Sequence, residues 1–592
     1  MLSQTYRTMK PFLINKFNFK FCIFNFAFIQ LLFLILLIIT APIKAQQRLN
    51  NIYGMGMAQP HFEDIKKVAE LVNSNGGDWG YVTLVIQEND RNIQKWQEIL
   101  DLLRAYHLIP IIRLGTVPEG ESWRRPTKDD AIPWANFLDS LNWVVKNRYV
   151  VLFNEPNHGS EWGSEVDAYN YAEIAKEFAE KLKQKNKDFF IMLAGFDSSA
   201  PQSIPVYQDE YSFLRNVMEK ISVADFERLF DGWSSHSYPN PGFSGSPWDN
   251  GRKSIRGYDW ELTVLRELGI QKELPVFITE TGWVRGNENT IVENFRIAYQ
   301  NVWMQDERVV AITPFIFDYQ GQPFLNFSWK LPSAEALEEQ VFYPQYFAVQ
   351  AMQKQKGEPE QIDKGELQLK YGPYKLVANS NYHFRLKLKN TGQAVWSKNE
   401  GYQLVVSNGQ KDMPFEYIFS DLTQIKPFQE TDIDLYIKTI SRQGKYKVRF
   451  ALRKDNRKVI ETNDWSLDIL PLPSLEFKVD LYPKFSSAGD DFEIQVFDEQ
   501  EGLVFKKNSI NVKYKTGYLY NIQNIIIGRQ YRVVILKPHY LPRQEFITFR
   551  RGKNLLKFKR MYPLDFNVDG KLDGKDLGAL IEKPELIRLY FP

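Results

Sequence analysis

Cysteine and histidine are both scarce in this sequence. Among 592 residues there is one cysteine, Cys22, in an N-terminal segment that we expect to be removed. The mature chain would then have no disulfide, no thiol nucleophile and no thiolate metal ligand. The six histidines are scattered, without the i, i+4 spacing of a helical zinc site. We therefore expect that catalysis, if the chain is an enzyme, needs no metal or other cofactor.

An excess of charge of one sign is also absent. The 74 Lys and Arg residues nearly balance the 72 Asp and Glu residues, for a formal net charge of +2. Binding to nucleic acid or to an anionic membrane surface usually needs a basic patch, and nothing in this balance favours one. We expect no nucleic-acid partner.

Long hydrophobic runs are missing except at the N-terminus. Lys10, Lys16 and Lys20 precede an apolar stretch centred on residues 31–39, and residues 41–45 end in an alanine before Gln46. This order is typical of a secretory signal peptide, so residues 1–45 predict export to a secreted or extracellular location. The apolar run from Phe21 is long enough that retention as a membrane anchor remains the alternative.

Residues 46–357 alternate strand-like and helix-like segments. The predicted strands are Ile52–Met57, Trp79–Ile86, Leu108–Leu114, Tyr149–Asn154, Phe189–Gly195, Gly232–Tyr238, Pro275–Glu280 and Val309–Phe317. The predicted helices between them include Phe62–Val72, Ile93–Tyr106, Ala168–Leu182 and Val292–Met304. Eight such units predict an α/β fold, a (β/α)8 TIM barrel. The rival, a doubly wound open sheet, is disfavoured because no Gly-rich phosphate loop follows the first strand.

The C-terminal part has an all-β pattern. Short alternating strands predict a β-sandwich over residues 366–470, and Pro471-Leu472-Pro473 predicts a boundary before a second β-module over residues 474–560. Residues 390–396, Asn-Thr-Gly-Gln-Ala-Val-Trp, resemble a segment of the immunoglobulin-like sandwich modules appended to exported enzymes. These modules would bind carbohydrate, act as spacers or support the barrel.

Two glutamates lie where apolar strands end. Glu155 follows Val150–Asn154, and Glu280 ends Pro275–Glu280. The C-terminal ends of parallel strands are where α/β barrels carry their chemistry, and a pair of carboxyl groups is the minimal apparatus for cleaving a glycosidic bond. A separation of roughly 5–5.5 Å would predict a retaining double displacement. Asn154 would hydrogen-bond a sugar hydroxyl.

These motifs resemble those of the glycoside hydrolase clan A superfamily, the "4/7" barrels. The matching elements are Asn154-Glu155-Pro156, Glu280-Thr281-Gly282-Trp283 and His236-Ser237-Tyr238, at the fourth, seventh and sixth predicted strands. The resemblance implies that Glu155 is the acid/base and Glu280 the nucleophile. It also implies that Tyr238 hydrogen-bonds the nucleophile and that His236 belongs to a substrate subsite.

Other residues at the predicted rim are weaker candidates for substrate contacts. Arg113 closes the third strand, where it could orient the carboxylates, although the resemblance places such an arginine on the second strand. Trp283 is the aromatic that we expect to stack on a sugar, ahead of Trp162 and Phe317. His158 would either line the cleft or cap a turn.

A calcium loop is predicted near the C-terminus. Oxygen ligands stand at loop positions 1, 3, 5, 9 and 12, a glycine stands at position 6, and position 7 offers a backbone carbonyl: Asp565, Asn567, Asp569, Asp573, Asp576, Gly570 and Lys571. Asp at position 12 resembles dockerin repeats, but residues 561–592 show one repeat where a dockerin carries two. A cohesin-like partner is therefore doubtful, and a calcium-stabilised cap is the other interpretation.

Taken together, the sequence predicts an exported retaining glycoside hydrolase that acts within β-linked polysaccharide chains. One alternative is a catalytically silent carbohydrate-binding or adhesion protein at the cell surface. A second alternative is a retaining transglycosylase built from the same residues. The sequence leaves the sugar and the linkage open, because these depend on loop shapes.

Overall fold

The structure is a computed structural model that describes residues 50–332, 341–407, 413–483 and 488–589. The predicted signal segment, residues 1–45, lies outside the described residues. Within the described ranges no helix has the length and apolar character needed to cross a membrane.

Residues 50–332 contain eight parallel strands and one short hairpin. Numbered in chain order, the strands are β1 (Gly54–Met57), β2 (Gly80–Gln87), β3 (Leu108–Gly115), β4 (Pro118–Glu119), β5 (Ser122–Trp123), β6 (Arg148–Leu152), β7 (Phe189–Leu193), β8 (Trp233–His236), β9 (Val276–Glu280) and β10 (Val309–Ile312). The hairpin is β4 with β5. Each of the eight predicted strands is present, and seven agree within two residues at each end. The eighth, predicted as Val309–Phe317, ends at Ile312.

The parallel strands form two sheets whose edges meet. One sheet has the order β1-β2-β3-β6-β7 and the other β10-β9-β8. Parallel bridges link Tyr53 to Ile312 at one junction and Asp197 to His236 at the other. The Ile312 amide also donates to the Ile52 carbonyl at 2.9 Å. Pairings therefore connect all eight strands in sequence order, with the first beside the last.

Helices connect these strands. They are α1 (Phe62–Val72), α2 (Ile93–Ala105), α3 (Ala131–Ser140), α4 (Ala168–Lys185), α5 (Glu210–Lys220), α6 (Val223–Leu229), α7 (Gly257–Glu267), α8 (Glu288–Ile297) and α9 (Pro344–Gln350). In α4, Asp167 caps the N-terminus by accepting from the Asn170 amide, and Tyr171, Ala175, Phe178 and Leu182 share the buried face. The prediction of one α-helix over residues 292–304 is in part wrong. The α-helix α8 ends at Ile297, and a π turn (Ala298–Val302) and a 3₁₀ turn (Trp303–Gln305) follow it.

Burial explains the apolar runs that predicted the strands. Every residue of β9 is buried, as are residues 149–152 of β6. A strand that is covered by side chains on one face and helices on the other has no solvent face, so it does not alternate. The polar residues that end these runs therefore mark where the strands leave the core.

The remaining strands form antiparallel-rich sheets. They are β11 (Gly365–Tyr371), β12 (Lys375–Val377), β13 (Asn381–Asn390), β14 (Tyr402–Val406), β15 (Phe415–Phe419), β16 (Glu430–Thr439), β17 (Gly444–Val448), β18 (Phe450–Lys454), β19 (Arg457–Glu461), β20 (Trp465–Leu470), β21 (Ser474–Lys478), β22 (Gly489–Phe497), β23 (Leu503–Lys513), β24 (Thr516–Leu519), β25 (Gln530–Lys537), β26 (Tyr540–Thr548) and β27 (Lys553–Lys557). The last seven form one sheet, and helix α10 (Gly574–Glu582) follows it.

Buried side chains of this part form one cluster that runs from Leu367 to Met561. The cluster includes residues on both sides of Pro471-Leu472-Pro473, such as Ile469 and Leu475. The domain boundaries given by the sequence remain predictions. Across the boundary predicted at residues 471–473, the two β-rich regions share one buried core.

Candidate active site

The site is built where β6 and β9 end. Glu280 is the last residue of β9, and Glu155 lies three residues beyond β6. Phe153 and Glu155 have positive φ angles of 74° and 31°, a region that side chains with a Cβ rarely occupy. This tight turn brings Asn154 and Glu155 to the wall of a cavity that Glu280 also lines. Such an outlier at a strand end is typical of functional sites.

The two glutamates lie close together. One oxygen of Glu155, one oxygen of Glu280 and one ring nitrogen of His236 are all within 4.8 Å of one another. Two carboxylates at this separation cannot both be ionised without opposite charge nearby, because like charges raise each other's pKa. The neighbouring side chains supply that charge.

Glu280 accepts from two donors and lies near a third basic group. The Arg113 guanidinium forms an ion pair with its Oε1, and the Tyr238 hydroxyl donates to its Oε2 at 3.0 Å. His236 Nδ1 lies 3.8 Å from the same Oε2. Burial alone would raise the pKa of Glu280, but the charges of His236 and Arg113 and the two hydrogen bonds hold it below its usual value. These contacts favour the ionised form of Glu280, in which a carboxylate can act as a nucleophile.

His236 lies behind the glutamates and is buried. Its Nδ1 is 2.8 Å from Oε1 of Glu155. Burial lowers the pKa of His236, but the charges of Glu280 and Glu155 outweigh that and raise it. The ring rests on the backbone of Gly195, where an added Cβ would be 2.1 Å from His236 Cδ2. His236 thus positions Glu155 rather than lining the cavity.

Arg113 and Asn154 form the next part of the site. Arg113, in β3, donates to Oδ1 of Asn154 at 2.6 Å while it pairs with Glu280. The Arg113 guanidinium therefore holds both the Glu280 carboxylate at the end of β9 and the Asn154 amide next to Glu155.

The cavity has a volume of about 500 Å³, the size of a small-molecule site. Its lining includes Arg113, Thr116, Asn154, Glu155, His158, Glu161, Asp197, Tyr238 and Glu280, and the aromatic residues Trp123, Phe153, Trp162, Phe243, Phe315, Phe324 and Phe327. Aromatic faces suit the apolar faces of sugars, and the polar groups gather at the glutamates.

The sequence-predicted residues fall into two groups. Glu155, Glu280, Asn154, Arg113 and Tyr238 line this one cavity. Trp283 and His236 do not. The Trp283 ring is buried, donates from Nε1 to the Gly245 carbonyl at 2.9 Å and packs on Phe295, and its sugar-stacking role stays a prediction. Among the weaker candidates, Trp162 and His158 line the cavity and Phe317 is buried away from it.

Several cavity residues were missed from the sequence. Glu161 lies on the 3₁₀ turn Gly159–Glu161 after β6, and Asp197 follows β7. Asp197 Oδ2 pairs with His158 Nε2 at 2.8 Å. The phenylalanines come from three separate loops, and nothing local in the sequence distinguishes them from core residues.

The predicted calcium loop precedes α10. Asp565 accepts from the Asp569 and Gly570 amides at 2.9 Å each, and Asp576 accepts from the Phe566 and Asp573 amides. The donor set of carboxylates and one amide fits a hard cation such as calcium. Among the described residues, the three-residue group with ligand atoms within 4.8 Å is Glu155, His236 and Glu280, so the loop oxygens are not gathered as closely.

No protein-family model and no curated protein matches the sequence. Solved structures that are similar include an endo-β-1,4-mannanase from Thermotoga petrophila (9% identity, 72% of this chain and 99% of that chain, TM-score 0.34). A second is a β-mannanase from Thermomonospora fusca (13% identity, 51% of this chain and 91% of that chain, TM-score 0.33). A third is a family 44 xyloglucanase from Paenibacillus polymyxa (10% identity, 80% of this chain and 97% of that chain, TM-score 0.32). At these identities and TM-scores the likenesses carry no argument about the activity of this chain.

Proposed function

We propose that this protein is a retaining glycoside hydrolase that cleaves β-linked polysaccharide. The observation that carries the proposal is the paired carboxyl groups of Glu155 and Glu280, with oxygens within 4.8 Å across one aromatic-lined cavity. Retaining enzymes keep their two carboxyl groups roughly 5–5.5 Å apart, whereas inverting enzymes need room for a water between them.

The proposed fold is a (β/α)8 barrel over residues 46–357. Its support is the pairing of eight parallel strands in sequence order, with β1 beside β10. In that fold the C-terminal ends of the strands carry the catalytic groups. Glu155 and Glu280 stand at those ends.

In the first step an oxygen of Glu280 bonds to the anomeric carbon, and the glycosidic C–O bond breaks. The proton of Glu155 passes to the departing oxygen. In the second step a water oxygen bonds to the anomeric carbon, its proton passes to Glu155, and the Glu280 ester breaks. Arg113 and Tyr238 hold Glu280 ionised before the first step, and His236 orients Glu155 through its 2.8 Å contact.

Metal-free catalysis is part of the proposal. The spacing of Glu155, His236 and Glu280 would also suit a metal ion. However, Oε1 of Glu280 already pairs with Arg113, Oε2 accepts from Tyr238, and His236 Nδ1 contacts Glu155. A cation would have to displace the positive charge of Arg113, so we assign these groups to acid–base chemistry.

The test is a screen of residues 46–592 against β-linked polysaccharides. Wild type should release reducing sugar from at least one of them, and Glu280→Ala should lose roughly 10³-fold or more in kcat because no other group can form the covalent intermediate. Azide should restore part of the Glu280→Ala activity on an activated aryl glycoside by replacing the missing nucleophile.

Glu155→Ala is the companion variant. It should impair poor leaving groups far more than activated aryl glycosides, since only the former need the proton. Equal losses would argue against the acid/base role. Binding of one polysaccharide without cleavage by wild type would favour the silent carbohydrate-binding alternative, and oligosaccharide products longer than the substrate would favour a transglycosylase.

We also propose export through residues 1–45 and a structural calcium ion in the loop Asp565–Asp576. Asp565, Asn567, Asp569, Asp573 and Asp576 would hold the ion with the carbonyl of Lys571. Calcium there would neutralise clustered carboxylates and tie α10 to the preceding sheet. Docking to a cohesin-like partner is the alternative role of this loop.

A further inference from the structure

Four carboxyl groups line the cavity, and three of them contact a basic side chain. Glu280 pairs with Arg113, Asp197 with His158, and Glu155 with His236, which lies behind the lining. The fourth, Glu161, forms no ion pair within the described residues. A carboxyl that faces a substrate cavity without a cation needs an explanation, since an ionised one would repel its neighbours.

The surroundings of Glu161 favour its neutral form. Burial raises the pKa of Glu161 to about 7, and the charge of Glu155 adds to that. The charge of Arg113 and a hydrogen bond from Asn154 lower the pKa of Glu161, and the charge of Glu280 raises it slightly further. His158 is the remaining charged group that faces Glu161. With Glu161 protonated, the site consists of the Glu280–Arg113 and Asp197–His158 ion pairs, the Glu155–His236 pair and one neutral acid. The Glu155–His236 pair has no net charge whichever of its two side chains holds the shared proton.

The contact between His158 and Asp197 favours the charged form of each. Burial lowers the pKa of His158, but the hydrogen bond with Asp197 outweighs this, and the pKa of His158 is raised. Burial raises the pKa of Asp197, but the hydrogen bond from His158 outweighs burial and holds this pKa below its usual value. The cavity therefore has almost no net charge when Glu161 is neutral, and it becomes negative when Glu161 ionises.

Cations at the rim are also neutralised. Arg124, which follows the lining residue Trp123, pairs with Glu88 and Asp130. Arg125 lies 3.3 Å from Glu165 and 3.8 Å from Asp167. Among the described residues, the cations of the cavity and of this rim segment are thus engaged, so none is left to pair with a carboxylate or sulfate on a substrate.

We propose that Glu161 is a third carboxyl group of the active site, one that donates a hydrogen bond to a hydroxyl of the sugar beside Glu155 and makes the site selective for uncharged glycans. This inference rests on the proposed function. Asn154 joins Glu161 to Arg113, so a sugar hydroxyl bound by Asn154 would lie within reach of Glu161. Polymers that contain uronic acids or sulfate groups would bring negative charge to a cavity whose cations are already paired with carboxylates.

The experiment compares Glu161→Gln, Glu161→Ala and Glu121→Gln with wild type. Glutamine has the shape of the neutral acid and cannot ionise. Glu121 is an exposed glutamate between β4 and β5 that lies outside the cavity lining, so Glu121→Gln should behave as wild type. The readout is kcat/KM from pH 5 to 9 on the neutral glycan identified by the screen. A second readout compares the hydroxyethyl and carboxymethyl derivatives of one β-glycan backbone.

In wild type kcat/KM should fall as the pH rises through about 7, the pKa of Glu161, and Glu161→Gln should lose that fall. Glu161→Ala should cost about tenfold in kcat/KM at pH 6 because the hydrogen bond is lost. Wild type should prefer the hydroxyethyl derivative.

An unchanged alkaline limb in Glu161→Gln, or equal cleavage of the carboxymethyl derivative, would overturn the inference while the glycosidase proposal stands. No cleavage of any glycan by wild type would overturn both. Carboxyl NMR of Glu161 in the free protein gives a readout independent of turnover, and a midpoint near the usual glutamate value would also contradict the inference.

Discussion

His236 lies so close to Gly195 that the site depends on a residue without a side chain. A Cβ at position 195 would be 2.1 Å from Cδ2 and 2.5 Å from Nε2 of the ring. Backbone cannot yield as a flexible side chain does, so the ring itself would have to move. Its Nδ1 contact with Glu155 would then be lost.

We expect Gly195→Ala to lower kcat/KM on the order of 10–100-fold, because displacement of a positioned catalytic group by about 1 Å has effects of that size. Overpacking should also cost roughly 1–3 kcal/mol of stability. Steady-state kinetics across pH together with thermal unfolding would measure both effects. The pH profile of kcat/KM should also change, because His236, whose pKa is raised by the charges of Glu280 and Glu155, would be displaced from them.

The control is Gly286→Ala. An added Cβ there meets nothing within 4 Å, and Gly286 has no positive φ angle. Gly286→Ala should leave both kinetics and stability near wild type. If Gly195→Ala lowered only the melting temperature and left the pH profile intact, His236 would be a structural residue rather than a positioning one.

At the level of elements, helices α5 and α7 bring two further carboxyl groups into the core. Glu210 begins α5, Glu261 lies in α7, and both are completely buried. Trp233 Nε1 donates to Glu261 at 2.6 Å, whereas the nearest cation to Glu210, Arg252 Nε, is 3.8 Å away. Burial raises the pKa of both groups, and the charge of Glu261 raises that of Glu210 further.

This pair makes stability depend on pH in a definite direction. A glutamate with a raised pKa binds more protons in the folded than in the unfolded state, so its stabilising contribution is complete below the unfolded pKa of about 4.3 and is lost as the pH rises toward the folded pKa. Glu210→Gln should therefore flatten the loss of stability that begins above about pH 4.3, by about 1.4 kcal/mol for each unit of the shift.

Urea unfolding at pH 6 and pH 8.5 would measure this effect. Glu267→Gln, an exposed position on α7, is the matched control and should follow wild type at both pH values. The same alkaline loss in Glu210→Gln as in wild type would show that another group is responsible.

The elements were predictable from sequence to the extent that their signals are local. Apolar runs that end in Asn154-Glu155 and in Thr279-Glu280 mark strands leaving the core, and both strands and both glutamates were found this way. The burial of Trp283 was not predicted because its ring direction depends on Gly245 and Phe295, distant in sequence. Glu161 was missed for the same reason, since its burial comes from other loops around the cavity.

At the scale of the whole molecule, the segment Asn390–Trp396 connects the two cores. Gln393 Nε2 donates to the Val145 carbonyl at 3.0 Å, and Asn142 Nδ2 donates to the Gly392 carbonyl at 3.0 Å. Lys146 pairs with Glu360 beside them. These contacts lie on the loop between α3 and β6, at the opposite end of β6 from Glu155, so the β-rich part supports the N-terminal unit away from the cavity.

Calcium in the Asp565–Asp576 loop should stabilise the β-rich part without changing the chemistry of the site. The loop is attached to the last sheet, since the Asp565 amide donates to the His539 carbonyl at 3.3 Å. Ligand that binds only the folded state adds about 2.7 kcal/mol at a hundred times its Kd. We therefore expect calcium to raise the melting temperature of residues 46–592, and EGTA to lower it again.

Asp565→Ala is the decisive variant, because Asp565 would be the first ligand and its carboxylate also accepts from the Asp569 and Gly570 amides. It will lower stability without calcium as well, so the quantity to compare is the shift in melting temperature that calcium causes, not the melting temperature itself. That shift should vanish in Asp565→Ala and persist in Glu582→Gln, an exposed control at the end of α10.

The loop oxygens must draw together to hold the ion, so calcium should also alter the amide NMR signals of residues 565–576. A calcium shift that survives Asp565→Ala would place the ion elsewhere, whereas kcat on the identified glycan should be the same with calcium or EGTA at a temperature where both forms are folded.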